Sequence, residues 1–393
     1  MKILNNLINE KLGTLISTLI YSAITIILAR RLDSNSFGLF VIFTSLTMTY
    51  ALLINLGTAQ QIIKYKDTKY YGIILAGIII FLPIFLGLYY FLQSLISDPI
   101  IYLLLVLDSI FLAFIMTLRA NLIANYQYDL YSISMLLDAI LKLIISLFSR
   151  NIFLDWVITD FLIASALFIY IKPKITVKNL TKSELYHLIS YNLINLAKNT
   201  YYITDTMIVG FLLSLKDAGI YKLVSQTIEA LLNIFNARNV LAPAIRDLNW
   251  KDSLKLLGKT IFYHSLIAII FAIAFILLGK KVIVLLLGKQ YEIVYDLTLI
   301  ALPIVFLDSL SYINVLFEYK GFPHLSAIAL WISLIVNIFF DLILIPKYSI
   351  KGAIIATILS YASAILFGLF SYLFYVFPQI KAKLKKIYKE KLK

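Results

Sequence analysis

The sequence predicts an all-α polytopic membrane protein, with twelve transmembrane helices in two six-helix lobes related as a pseudo-two-fold parallel repeat. Three observations carry that reading. The 393 residues are 61% hydrophobic and only 14% charged, with a mean hydropathy of +0.92, which is far too apolar for a water-soluble domain of this length. Apolar runs of membrane-spanning length recur along the whole chain, separated by short polar links. A motif at the start of the second run returns at the matching place in the second half.

Taken in order, the runs fall near 12–29, 39–57, 72–93, 100–119, 132–149, 154–171, 186–213, 219–242, 260–279, 293–317, 325–345 and 352–377. The first ends in Arg30 and Arg31 without a small-residue cleavage pattern, so a retained helix is expected and not a signal peptide. The fifth and sixth are the least clear-cut, because Asp138 and Lys142 interrupt one of them and only Arg150 to Phe153 separates the pair. The basic link around Lys172 to Tyr186 carries Pro173 and is the natural lobe boundary. The expected division is 1–176 for the N-terminal six-helix lobe, 177–380 for the C-terminal one, and 381–393 for a basic cytoplasmic tail.

The repeat is visible in ARRLDSNSFGLFVIFTSL (Ala29 to Leu46) and GFLLSLKDAGIYKLVSQTI (Gly210 to Ile228), where Gly38 aligns with Gly219 and Phe40 with Tyr221. Each half holds six spans, an even number, so the repeats run parallel.

Charge sets the orientation. Most lysines and arginines, including Lys64, Lys66, Lys69, Lys172, Lys174, Lys178, Lys182, Arg246, Lys251, Lys255, Lys259 and the KAKLKKIYKEKLK tail, fall on the side that also holds both termini. The positive-inside rule makes that side cytoplasmic, which predicts a multi-pass protein of the cytoplasmic membrane with both ends inside. The net charge of +14 is explained by these flanks and by anionic membrane lipids, so no nucleic-acid partner is expected. Cysteine is absent and the three histidines (His187, His264 and His324) are scattered, so neither a metal site nor a cofactor is expected. No segment offers a Gly-rich phosphate loop, a Ser/His/Asp set or a large external loop, which argues against an enzyme and against an ATP-driven pump.

The densest chemistry lies in the seventh and eighth runs. On a helical wheel, Tyr191, Asn192, Asn195, Lys198, Asn199, Tyr202, Asp205 and Thr206 share an arc of about 140°. In the eighth run Ser225, Gln226, Glu229, Asn233 and Asn236 lie together. A charge near the bilayer centre costs roughly 2.5 to 3.5 kcal/mol, so such faces imply a wet cavity or close pairing. The first run repeats the one-sided polarity with hydroxyls alone: Thr14, Ser17, Thr18, Tyr21, Ser22 and Thr25.

ARRLDSNSFGLF followed by INLGTAQQIIKY (Ile54 to Tyr65) resembles the first-hairpin pattern of the polysaccharide-transporter or oligosaccharide-lipid flippase family. That family belongs to the multidrug/oligosaccharidyl-lipid/polysaccharide exporter superfamily. TDTMIVGFLLSLKDAGIYKLV, NVLAPAI and NIFFDLILIPKYSIKGAIIATILSYA (Asn337 to Ala362) are similar to the second half of its pattern. The resemblance implies a flippase that moves a polyprenyl-linked oligosaccharide, on an undecaprenyl or dolichyl phosphate or diphosphate carrier, across the cytoplasmic membrane by alternating access. It would serve polysaccharide or cell-surface glycan export, act as a monomer and have glycan-assembly proteins as possible partners. The alternative within the same superfamily is a cation-coupled multidrug-type antiporter.

Candidate cavity residues for the substrate are Lys198, Lys142, Asn195, Asn199, Tyr202, Asn233 and Asn236, with Lys198 read either as a cavity cation that meets the substrate phosphate or as a lysine near a helix end that reaches a headgroup or carbonyl. Asp205 falls where the family's seventh helix commonly carries an acid and is read as a proton or ion site or as the partner of Lys198, while Glu229 is read as a proton carrier or as a carboxyl hydrogen-bonded by Asn233 or a neighbouring tyrosine; together they are the candidates for ion coupling. Asp138 and Lys142, four apart with the acid first, form a candidate ion pair on one helix face. Lys142 is read either as the basic half of that self-neutralised pair or as a cavity cation. Asn55, Asn337 and Asp341 are expected as interhelical glue, and the histidines as structural or interfacial.

Overall fold

The computed structural model describes residues 2–65, 71–173, 203–234, 245, 248–320 and 322–378. Their contacts divide the chain into two compact units, Met1–Ile220 and Tyr221–Lys393.

In the first unit the helices are α1 (Lys2–Arg31), α2 (Ser34–Asn55), the short α3 (Thr58–Tyr65), α4 (Tyr71–Leu92), α5 (Pro99–Ala124), α6 (Tyr128–Phe148), α7 (Ile152–Ile171) and α8 (Ile203–Leu212). Helix α9 (Leu215–Ile234) begins here and continues into the second unit. Polar residues mark the starts. Asp33 accepts from the backbone of Asn35 and Ser36 ahead of α2, Asp98 from Ile100 ahead of Pro99 in α5, and Asn151 from Leu154 ahead of α7. At the far end of α6 the Arg31 guanidinium donates to the carbonyls of Ser146, at 2.8 Å, and Ser149, satisfying acceptors that a helix C-terminus leaves open.

Two contacts show how tightly the unit is built. Tyr50 of α2 stacks on Phe85 of α4 with ring centroids 3.8 Å apart, and its hydroxyl meets that of Tyr102 in α5 at 2.9 Å. Tyr102 in turn donates to the Phe85 carbonyl at 2.6 Å. The start of α9 crosses α2 where the two repeat glycines lie. A Cβ on Gly38 would stand 1.7 Å from the Leu215 carbonyl oxygen, and one on Gly219 would stand 2.9 Å from Phe37 and 3.4 Å from the Gly38 Cα. The positions aligned by the repeat therefore touch each other, and only glycine lets the backbones come so near.

The second unit continues with α10 (Trp250–Leu287), α11 (Ile293–Ala301), α12 (Pro303–Ser311), α13 (Ile313–Tyr319), α14 (Pro323–Tyr348) and α15 (Ile350–Ser371), which runs on into a π turn at Tyr372–Val376. The tenth run is bent by 46° between Ala301 and Pro303, as expected where proline removes a backbone donor. Between α14 and α15 the chain reverses at Ser349, φ +57°, and a Cβ on Gly352 would sit 2.3 Å from the Leu344 carbonyl oxygen. That is the physical content of the IPKYSIKGA motif: a hairpin closed so tightly that the first turn of the new helix needs a glycine.

Among the described residues, eight helices are long and apolar enough to cross a membrane, or nine if the bent α11–α13 counts as one span. Helices α1, α8 and α9, more polar or only partly described, occupy the remaining three of the twelve expected runs. The outward side chains suit hydrocarbon as solvent: Ile79 and Phe374 are each 73% exposed and Leu277 71%. The chain is an integral membrane protein. The expected lobe boundary at 176/177 lies among residues outside the described set. The described contacts place α8 and the first turns of α9 with the first unit, where Gly210 and Gly219 pack on Ile42 and Phe37.

Candidate functional site

The most concentrated chemistry in the described residues is a buried ionic chain in the first unit. Asp138 and Lys142, one turn apart in α6, form the pair that the sequence spacing suggests, with Lys142 Nζ 3.2 Å from Asp138 Oδ1. The same ammonium lies 2.6 Å from Asp160 Oδ1 in α7, and its Nζ stands 4.7 Å from the centroid of the Trp156 ring one turn earlier in that helix. On the other side Arg119 of α5 reaches Asp138 Oδ2 at 3.0 Å, and also donates to the Ser134 carbonyl at 2.8 Å and the Ser134 hydroxyl at 3.2 Å. The order is Arg119, Asp138, Lys142, Asp160, alternating in sign across three helices. Apart from the partly accessible arginine, every member is almost entirely removed from solvent.

A fifth member breaks the balance. Asp108 of α5 is fully buried, with Asp160 of α7 and Thr47 of α2 as polar neighbours within hydrogen-bonding reach, though neither carboxyl oxygen makes a hydrogen bond of good geometry. The cluster thus holds three carboxyls and two cations. Burying an ion costs several kcal/mol unless a counter-charge offsets it, so the odd carboxyl calls for a proton or a cation.

Of the seventh- and eighth-run candidates, Asn195, Lys198, Asn199, Tyr202 and Asn236 lie outside the described residues. Asn233 is placed by its backbone within α9. Asp205 is buried in α8 of the first unit, and Glu229 is half-buried on α9 in the second. Asn55 ties α2 to α5 by donating to the Thr117 hydroxyl at 2.7 Å. In the second unit Asn337 and Asp341 are fully buried on α14. Ser333 donates to the Ser360 carbonyl at 3.0 Å, and the hydroxyls of Tyr221 and Thr357 meet at 3.1 Å. His264 joins Tyr312 through Nδ1 at 3.1 Å, at the break between α12 and α13.

The hydroxyl stripe of α1 is partly accessible: Thr18 and Ser22 are exposed and Tyr21 half-buried, while Ser17 is buried. Arg119, Asp108 and Asp160 are the residues that the sequence reading passed over. Asp108 is the lone acid of its apolar run and Asp160 lies deep in a run whose other acid, Asp155, is near the helix start, and an acid within an apolar run ordinarily marks an intramembrane functional group.

No family model matches the chain, and no curated protein does. Solved structures do. The lipid II flippase MurJ in an inward closed conformation superposes with a TM-score of 0.74 at 15% identity, covering 93% of this chain and 87% of that one. An inward-facing multidrug resistance MATE family transporter of the MOP superfamily gives 0.67 at 12% identity, over 94% and 96%. A MOP superfamily transporter from Pyrococcus furiosus, noted for the reverse polarity of its binding pocket, gives 0.61 at 13% identity, over 95% of each chain.

The chain has the twelve-helix fold of the MOP transporters. The neighbours are transporters and not enzymes, and both the flippase and the antiporter expectation fall within this fold.

Proposed function

We propose that the protein is a flippase that moves a polyprenyl-linked oligosaccharide from the cytoplasmic to the outer leaflet by alternating access. The observation that carries this reading is the correspondence, over 93% of the chain, to the fold of a flippase whose own substrate is lipid-linked. The hydroxyl stripe on α1 supports it, because sugars are recognised by many neutral hydrogen bonds. In this reading the headgroup and sugars cross along polar faces while the prenyl tail stays in hydrocarbon, which avoids dragging a charged, hydroxyl-rich group through the bilayer core. With the Lys142 ammonium held between two carboxylates, Lys198 is the residue to which we assign the phosphate, flanked by Asn195, Asn199 and Tyr202. Asp205 and Glu229 are the assigned pair for coupling to an ion gradient.

Depletion of the protein in its native cell is expected to accumulate lipid-linked oligosaccharide in the cytoplasmic leaflet. An unchanged leaflet distribution alongside loss of resistance to amphipathic cations would instead favour the multidrug-type antiporter. The acid excess of the buried cluster is the feature that speaks for that second reading.

A further inference from the structure

Along α7, Phe161, Ala164, Ser165, Phe168 and Ile169 recur at the three- and four-residue spacing of one helix face. On α5, Phe111, Phe114 and Leu118 do the same, and the two faces meet where the Phe111 and Phe161 rings stand edge to face, 5.3 Å apart. Ala164 and Ser165 carry too little side chain to fill the space between the rings. An open groove of about 380 Å³ remains, with Leu118 and Ala164 buried at its floor and Phe161, Phe168 and Ile169 exposed along its rim. That volume falls within the range of about 300 to 1,000 Å³ of ligand sites. Ser165 is the one polar side chain among these lining residues.

The α7 face continues by the same three-residue step from Ile169 to Lys172, which is exposed and ends the helix in the left-handed conformation, φ +47°. An apolar slot that leads to a cation suits an amphiphile with a hydrocarbon chain and an anionic head. From Phe161 to Ile169 the helix rises about 12 Å, so the slot takes only the part of a long chain next to its head and leaves the rest in the bilayer. The walls favour one kind of chain. Phenylalanine rings are rigid and cannot remould themselves as methionine does, whereas methyl branches fit between rings and double bonds meet their edges and faces. An isoprenoid chain, already stiffened by those double bonds, also loses less freedom when held than a saturated acyl chain does.

We propose that this groove holds the phosphate-proximal isoprene units of a polyprenyl carrier, with Lys172 against its phosphate, in the leaflet that the charge pattern assigns to the cytoplasm. The assignment rests on the flippase reading and deepens it, giving the lipid tail a loading position on the first unit ahead of the crossing assigned to Lys198.

The purified full chain, in nanodiscs of phosphatidylcholine, is illuminated with undecaprenyl phosphate that carries a diazirine beside its first isoprene unit, and the labelled residues are read by mass spectrometry. Labelling should concentrate on 111–118 and 161–169, and unlabelled undecaprenyl phosphate should displace it where phosphatidylglycerol at the same concentration does not. Lys172→Gln should weaken binding of the phosphorylated probe about fivefold, the worth of one lysine at an anionic headgroup, and leave the matching diazirine polyprenol, which has no phosphate, unchanged. Ser165→Phe fills the groove and should cut labelling there several-fold; should that variant fail to fold, the pattern on the unmutated chain still decides. Labelling spread over all the apolar helices, equal displacement by phosphatidylglycerol, or equal loss of both probes in Lys172→Gln would each overturn the proposal. The flippase reading has its own readout. A chain that flips lipid-linked sugar while its groove takes no label refutes the groove alone, and a groove that labels as expected in a chain that flips nothing refutes the flippase reading and leaves the isoprenoid site standing.

Discussion

Removing the Lys142 ammonium is the sharpest perturbation of the buried ionic chain. At an effective dielectric of about 20, contacts of 2.6 and 3.2 Å correspond to raw attractions of about 6 and 5 kcal/mol, most of which offsets the desolvation of three ions. Breaking such an arrangement by deleting one partner typically costs about 3 to 5 kcal/mol, and that is the expected loss for Lys142→Met. The two carboxylates are not left equal. Asp138 keeps Arg119 at 3.0 Å, whereas Asp160 loses its only cation in the chain. Adding Asp160→Asn to Lys142→Met should therefore recover more than half of the loss, while adding Asp138→Asn should recover nothing, because it also strips Arg119 of its partner. Reversible unfolding by SDS in mixed micelles, followed by tryptophan emission, measures all four proteins on one scale. A Lys142→Met variant within about 1 kcal/mol of the parent, or equal rescue by both second substitutions, would refute the geometry.

Other consequences are quickly checked. Gly38→Ala places a methyl 1.7 Å from the Leu215 carbonyl oxygen and should cost about 1 to 3 kcal/mol in the same unfolding assay, whereas Gly87→Ala, which meets nothing within 4 Å, should be neutral or slightly stabilising; equal effects would contradict the α2–α9 crossing. Lys198→Gln keeps length and hydrogen bonding but loses the attraction to phosphate, so it should accumulate lipid-linked oligosaccharide on the cytoplasmic side at normal protein levels; full complementation would return Lys198 to a headgroup contact. Glu229→Gln should abolish the dependence of flipping on an imposed ion gradient in proteoliposomes while downhill exchange persists, and unchanged gradient dependence would make Glu229 structural.

The helices were legible because hydrocarbon imposes length and apolarity on each span, a signal that needs no tertiary information. Even the doubtful fifth and sixth runs are separate helices, α6 and α7, as their short link suggested. The Asp138–Lys142 pair was legible too, since both partners lie one turn apart on a single helix. Asp160 and Asp108 were not, because their roles depend on which helices pack together. Arg119 stands at the end of the fourth apolar run, but ANLIA is helix-compatible and α5 runs on to Ala124, drawing the guanidinium back toward Asp138. In the same way α10 begins ten residues before its apolar run, on the amphipathic stretch that follows the Asn249 cap.

The central claim is tested most directly by reconstituting the purified chain in proteoliposomes with a fluorescent polyprenyl-diphosphate oligosaccharide in the inner leaflet and following its accessibility to an impermeant quencher outside. The account predicts protein-dependent exposure of the lipid-linked sugar that Lys198→Gln slows by about tenfold or more, in line with the loss of one charge-assisted phosphate contact. Vesicles in which the sugar stays protected, while the same protein exchanges an amphipathic cation for protons or sodium, would contradict it.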